Sequence, residues 1–186
     1  MKRRILGYVA VMVTVICLCA APSFAADNAK IGFGYQGMFA GDLLNGMSVR
    51  GWVGPNTAIG LEGNLFYGAV EVDDSDFDAD LFMLEIKAMY AFIIKTNSRF
   101  YAGGKFAYGQ FDADGVGLFG VDKIEGKVYI PGVFAGAEWN FPSLPEVGFN
   151  FEVGYNYVID NNEFDGDDVD LNLQGINVGL GIKYYF

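Results

Sequence analysis

The chain has 186 residues, with twelve Lys and Arg against 23 Asp and Glu, a net charge of −11, no histidine and two cysteines. So acidic a protein is not built for nucleic acid, whose phosphates are bound by Lys and Arg that displace counterions. The missing histidine removes the one side chain that ordinarily titrates near neutrality, and with it the usual general base of hydrolytic enzymes.

Lys2, Arg3 and Arg4 precede an apolar run from Ile5 to Ala20, and Pro22 and the small-residue site Ser23-Phe24-Ala25 follow before Ala26. A basic start, an apolar core and a small-residue cleavage site make a secretory signal peptide, and the run is short of the ~20 residues of a spanning helix. The expected division is a cleavable leader at 1–25 and one domain at 26–186. Cys17 and Cys19 leave with the leader, neither in a lipoprotein-processing context, so the mature chain carries no thiol, disulfide or lipid anchor of that kind. Loss of the three basic residues takes twelve to nine and the net charge from −11 to −14. No linker or composition break divides what remains.

From there the apolar residues recur at every second position, the period of a strand with one face in an apolar medium. The first strand turns Ile31, Phe33, Tyr35, Gly37 and Phe39 outward and Gly32, Gly34, Gln36 and Met38 inward. The second places Met47, Val49, Gly51 and Val53 outward and Ser48, Arg50 and Trp52 inward, ending at the turn Gly54-Pro55-Asn56-Thr57. Ile59, Leu61, Gly63, Leu65 and Tyr67 form the outer face of the third, and Phe82, Leu84, Ile86, Ala88, Tyr90 and Phe92 that of the fourth. A turn at Lys95-Thr96-Asn97-Ser98 leads to the fifth, with Phe100, Ala102, Gly104, Phe106 and Tyr108 outward.

The sixth strand, Val128 to Phe141, is apolar in both registers; Tyr129, Pro131, Val133, Ala135, Ala137 and Trp139 are assigned outward because that places Glu138 inside. After Pro142-Ser143-Leu144-Pro145, the seventh sets Val147, Phe149, Phe151, Val153, Tyr155, Tyr157 and Ile159 against Gly148, Asn150, Glu152, Gly154 and Asn156. The last shows Ile176, Val178, Leu180, Ile182, Tyr184 and Phe186 outward, with Asn177, Gly179, Gly181, Lys183 and Tyr185 inside. Three tight turns alternate with four longer polar loops near 40–46, 71–80, 112–125 and 160–170, and aromatics crowd the strand ends. Short turns on one side and long loops on the other, with aromatic girdles between, is the plan of a bacterial transmembrane barrel. Its edges must close, because hydrocarbon offers unpaired N–H and C=O groups no partner.

Over the whole mature chain, this alternation, the loop asymmetry and the terminal Ile182-Lys183-Tyr184-Tyr185-Phe186 resemble the small eight-stranded outer-membrane barrels of the OmpA transmembrane-domain and OmpX type. The resemblance implies an all-β fold, an eight-stranded antiparallel up-and-down transmembrane β-barrel, placed as a monomer in the outer membrane of a Gram-negative bacterium. Its surroundings there would be lipid and lipopolysaccharide. It also implies that Ile182, Tyr184 and Phe186 form the signal read by the outer-membrane assembly machinery.

The inward positions hold Arg50, Lys87, Lys105 and Lys183 with Glu62, Glu85, Glu138 and Glu152, four of each sign. Pivoting the second and third strands about Asn56 sets Arg50 opposite Glu62, and pivoting the fourth and fifth about Lys95 sets Glu85 opposite Lys105. Cross-strand neighbours lie ~5 Å apart, within reach of ion pairing. A self-neutralised, plugged lumen is therefore expected, with a gated ion path made by exchange of partners as its rival.

Twelve of the 23 acids fall in two loops, 71–80 and 160–170. Asp165, Asp167, Asp168 and Asp170 have spacings that suit weak Ca²⁺ binding but lack the full twelve-residue loop and its closing glutamate, so a solvated acidic surface is the competing reading. Phe77, Phe119 and Phe164 are the apolar residues at loop tips that an extracellular partner would meet. The barrel enzymes to which this fold is related, lipid A deacylases and omptin-type proteases, rely on histidine. Ser48, Ser75, Ser98 and Ser143 have no visible base beside them. The expected function is thus a non-enzymatic barrel without cofactor, serving membrane integrity or surface interaction. A narrow channel of the OmpW-like kind is the alternative.

Overall fold

A computed structural model of the protein describes residues 30–40, 42–53, 58–71, 78–114, 123–164 and 167–186. Of residues 30, 38–40, 42–44, 70, 71, 78, 113, 114, 123–125, 160–164 and 167–172 it describes the backbone alone. The expected leader at 1–25, the Gly54–Thr57 turn, Phe77 and Phe119 lie outside the described residues, as does the side chain of Phe164.

Eight strands, β1 Lys30–Ala40, β2 Asp42–Trp52, β3 Ile59–Glu71, β4 Asp78–Lys95, β5 Ser98–Asp114, β6 Lys123–Phe141, β7 Leu144–Phe164 and β8 Asp167–Tyr185, pair antiparallel in sequence order. β1 also pairs with β8, from Gly32↔Tyr185 to Phe39↔Val178, and the barrel is closed. Closure leaves no open edge along this paired stretch, the condition for β-structure in lipid.

Alternation sorts the side chains as the sequence requires. Outward, Phe33, Tyr35, Leu61, Ile86, Phe106, Val133, Phe151, Leu180 and Ile182 are exposed, a belt of apolar surface around the whole barrel. Such a belt far exceeds what a water-soluble protein exposes and is a lipid-facing surface. Tyr90, Phe92, Phe100, Trp139, Phe141, Tyr184 and Phe186 ring the end that carries the turns at 96–97 and 142–143, called here the turn end. Tyr67, Tyr155 and Tyr157 lie toward the other, the loop end. The sixth strand takes the assigned register, with Val133, Ala135 and Trp139 exposed and Phe134 and Glu138 buried. Val49 departs from its neighbours: outward by parity, it is only 7% exposed.

Two expectations are corrected. The polar segments near 40–46 and 160–170 are largely strand, and the described ends of those near 71–80 and 112–125 are strand as well, because the ladders run on toward the hairpin tips: β7 and β8 stay in register as far as Phe164↔Asp167, and β3 and β4 as far as Glu71↔Asp78. Continuing the ladder satisfies backbone groups that an irregular loop would leave to water. The second correction concerns β4 and β5, where Lys87 faces Lys105 and Glu85 faces Ala107, so Glu85 and Lys105 are diagonal rather than opposite. The turn is centred at Thr96-Asn97, and a bulge between Ala91 and Ile93 inserts Phe92 into β4. Phe92 and Ile93 both face out, and the bulge restores the inside-outside parity that the turn alone would invert.

Candidate functional site

The lumen is filled in three layers. At the turn end, Trp52, Met89, Ala91, Tyr101, Phe134 and Tyr185 form an apolar cluster. At the loop end, Phe66, Met83 and Ala107 form another, with Ile130 packed against it. Between and beside them lie the eight charged residues assigned inward: Arg50, Glu62, Glu85, Lys87, Lys105, Glu138, Glu152 and Lys183 are each buried, with Glu138 nearer the turn end of β6 than Phe134.

Strand register sets their height. Arg50 on β2, Glu62 on β3, Lys87 on β4 and Lys105 on β5 form one continuous cross-strand row. Glu85 stands one inward step closer to the loop end, and Glu138, Glu152 and Lys183 approach from the far wall. Arg50 is the hub. Its Nε donates to Glu62 Oε2, its Nη1 to Glu138 Oε2 at 2.8 Å and to Tyr101 Oη at 3.0 Å, and its Nη2 to Glu152 Oε1 at 2.6 Å. One planar guanidinium thereby engages three carboxylates on three strands through three separate nitrogens, a task its fixed fork of donors suits.

Lys87 ties the row together, its Nζ 2.6 Å from Glu152, 3.3 Å from Glu62 and 3.4 Å from Glu85. These carboxylates offset the repulsion of Lys105 on the facing strand. Lys105 in turn lies 3.2 Å from Glu85 Oε2. Lys183 donates to Asn150 Oδ1 at 2.9 Å and Gln36 Oε1 at 3.0 Å, with Glu62 at 3.8 Å. Neutral donors complete the carboxylates: Tyr185 to Glu138 at 2.5 Å, Tyr101 to Glu152 at 2.8 Å and Asn64 to Glu85 at 2.9 Å. Burying so many charges is tolerable only when each is paired and hydrogen-bonded, which is the arrangement seen.

The sequence reading missed the aromatic layer that supports this cluster. Tyr101 and Tyr185 present rings to the apolar cluster and hydroxyls to the ionic one, and Trp52 packs edge-on to Tyr101 with centroids 5.6 Å apart. The guanidinium of Arg99 lies 4.5 Å from the Trp52 ring centroid, within cation–π distance, beneath the plug. Room for these rings comes from glycine: a Cβ at Gly32 or at Gly148 would stand 2.7 Å from the Tyr185 ring, and one at Gly60 would stand 2.7 Å from Trp52. Inward aromatics flanked across the strands by inward glycines were the available signal, but it needs the register to be known first.

A cavity of about 10 Å³ among Gln36, Glu85, Lys87, Lys105, Glu152 and Asn177 has room for one water. Ile182, Tyr184 and Phe186 line up on the outer face of the closing strand, with Tyr184 and Phe186 edge-on at 5.2 Å and the Phe186 amide donating to Ile31 O at 2.9 Å. Asp165 and the side chains of Asp167, Asp168 and Asp170 lie outside the described residues.

The same barrel recurs among solved structures. A major outer membrane protein of Thermus thermophilus matches with a TM-score of 0.54 at 12% identity, over 85% of this chain and 99% of that one. The N-terminal β-barrel domain of Pseudomonas aeruginosa OprF gives 0.53 at 16%, over 86% and 98%. The attachment invasion locus protein Ail of Yersinia pestis gives 0.51 at 18%, over 85% and 97%. No family model and no curated protein sequence matches the chain. At these identities the likeness is one of fold, and the fold is that of the small eight-stranded outer-membrane β-barrels.

Proposed function

We propose, for a chain with the fold of the small outer-membrane barrels, that it is a non-enzymatic wall protein of the Gram-negative outer membrane, sealed inside and offering acidic hairpins to the exterior. On this reading residues 1–25 direct export, the turn end faces the periplasm, and the loop end takes part in membrane integrity or surface contacts. The observation that carries the proposal is the buried ionic network packed against an apolar cluster toward each end of the lumen. A solute crossing the lumen would have to displace Trp52, Tyr101 and Tyr185, then the Arg50 cluster, then Phe66 and Met83. The whole chain lacks histidine, and the lumenal carboxylates are bound to Lys, Arg and Tyr rather than poised beside a nucleophile, which supports a non-catalytic role.

A narrow ion path is the second reading, supported by the sharing of partners: Glu62 lies within 4 Å of Arg50, Lys87 and Lys183, so exchange among them would need little movement. Planar-bilayer conductance of the refolded barrel decides between the two. Silent bilayers at high protein load are expected; reproducible unitary steps that change in Arg50→Ala would replace the sealed reading with the channel. Assembly through the last strand is tested separately. Deleting Phe186 removes its amide bond to Ile31 and its ring contact with Tyr184, and should lower the heat-modifiable, protease-resistant barrel recovered in membranes. Unchanged recovery would remove Phe186 from the assembly signal.

A further inference from the structure

We propose that the turn end of the lumen holds a binding site for one small anion, at the contact between the Arg99 guanidinium and the Trp52 indole. The site goes beyond the wall-protein reading and does not depend on which side of the membrane the turn end faces.

Strand register brings Arg99 into the lumen. It stands opposite Glu138 in the β5–β6 ladder, two positions before Tyr101 and therefore on the same inward face. Its guanidinium lies 4.5 Å from the Trp52 ring centroid. Glu138 is its one ion-pair partner among the described residues, with Nε 3.8 Å from Oε1, too far for a hydrogen bond. The other oxygen of Glu138 already accepts from Arg50 and Tyr185. Added to the four cations and four carboxylates of the buried network, Arg99 leaves one positive charge in excess. Arginine does not deprotonate to remove it.

Two buried donors at this contact have no acceptor among the described residues, Nη1 of Arg99 and Nε1 of Trp52. Trp52 is 1% exposed, so bulk water does not serve its N–H. Packing fixes the indole: its Cε3–Cζ3 edge lies where a Cβ on Gly60 would stand 2.7 Å away, and Tyr101 meets it edge-on. The N–H is carried on the other edge of the ring system and so points away from Gly60. Ala58 and Ala91, in the same cluster, bring no polar side chain, and the Ala58 carbonyl already accepts from the Ala91 amide at 2.6 Å. Leaving a buried donor unpaired costs the full desolvation of that group, and two at one contact call for a ligand that accepts from both.

Charge selects the ligand. Water would satisfy either N–H and leave the excess charge in place, and a cation would add to it. An anion accepts from both donors and neutralises the guanidinium, in surroundings where the low dielectric strengthens the attraction. Two donors over an aromatic wall suit a halide or a formate-sized carboxylate rather than a phosphate, whose four oxygens would find too few partners. The Arg99 side chain is 20% exposed, which leaves a way in from water at the turn end.

The test reads the indole directly. Trp52 and Trp139 are the two tryptophans of the chain, so Trp139→Phe on the lipid face leaves Trp52 as the sole indole fluorophore. The refolded W139F barrel in detergent micelles, in chloride-free buffer with ionic strength held by the bulky anion gluconate, is titrated with iodide, a small anion that quenches indole emission on contact. Expected is a saturable quench that chloride or formate shifts to higher iodide, weakened about tenfold or more by Arg99→Gln through loss of a charge-assisted hydrogen bond. Heat-modifiable mobility verifies the fold. Competition is measured in the W139F barrel itself, so it carries the result if the Arg99 variant does not refold. Quenching that rises without saturation and ignores chloride would be collision alone and would overturn the proposal. So would unquenched emission, or a saturable quench undiminished by Arg99→Gln, which would place the anion elsewhere.

Discussion

In the ionic layer Arg50 is held by three carboxylates from three strands, whereas one step toward the turn end Tyr185 is held by the bare backbones of Gly32 and Gly148. The first layer is stabilised by directional pairing that offsets a large desolvation cost, the second by shape. Charge pairing is fragile to the loss of one partner and tolerant of the loss of two, because the penalty comes from the charge left behind. Shape complementarity responds to volume instead, and a single methyl group in the wrong place is felt.

Arg50→Ala should show the largest effect, about 3–5 kcal/mol in urea unfolding of the refolded barrel, because Glu62, Glu138 and Glu152 all lose their guanidinium partner. Adding Glu62→Ala should recover part of that loss, so that the double variant is more stable than additivity allows. Additive losses would mean that the pair contributes no coupling and that the layers differ less than their geometry suggests.

Gly148→Ala comes next, at about 1–3 kcal/mol, since its Cβ would crowd a ring already confined from the other side by Gly32. The cost should fall when Tyr185 is shortened to leucine, which frees the space while also releasing the hydroxyl bond to Glu138. A G148A barrel with wild-type unfolding would show that the aromatic layer yields easily.

Lys105→Met should cost less than Arg50→Ala, roughly 1–2 kcal/mol, because Glu85 retains Lys87 at 3.4 Å and the Asn64 amide at 2.9 Å. An effect equal to that of Arg50 would mean that the layer acts as one network without a hub. The smallest effect is expected outside the lumen. Calorimetry with Ca²⁺ should give weak heat or none, and changing Asp165, Asp167, Asp168 and Asp170 to asparagine should leave it unaltered. A salt-resistant heat with a Kd of roughly 10⁻⁴–10⁻³ M, lost in that variant, would instead make those carboxylates a coordinating site.

The alternation of apolar and small or polar residues was enough to determine strand number, the inside and outside of each strand and the eight lumenal charges, because a strand between lipid and a packed lumen has a period of two and no freedom to slip by one. Even β6, apolar on both faces, was settled by the need to keep Glu138 out of lipid. The Arg50–Glu62 opposition was legible as well, since no register shift interrupts the β2–β3 ladder. What alternation does not encode is how far one strand slides by two residues against the next, since that preserves every face. The turn at Thr96-Asn97 and the one-residue bulge at Phe92 together made such a change in β4–β5, and only the closed barrel displays it. The three-carboxylate grip on Arg50 joins residues up to 102 positions apart, the aromatic plug depends on rings meeting glycines across strands, and among the described residues the β7–β8 ladder outruns the β1–β8 ladder because β1 is shorter than the strand it closes against. Each of these is a relation between strands remote in sequence, fixed when the sheet closes and not before.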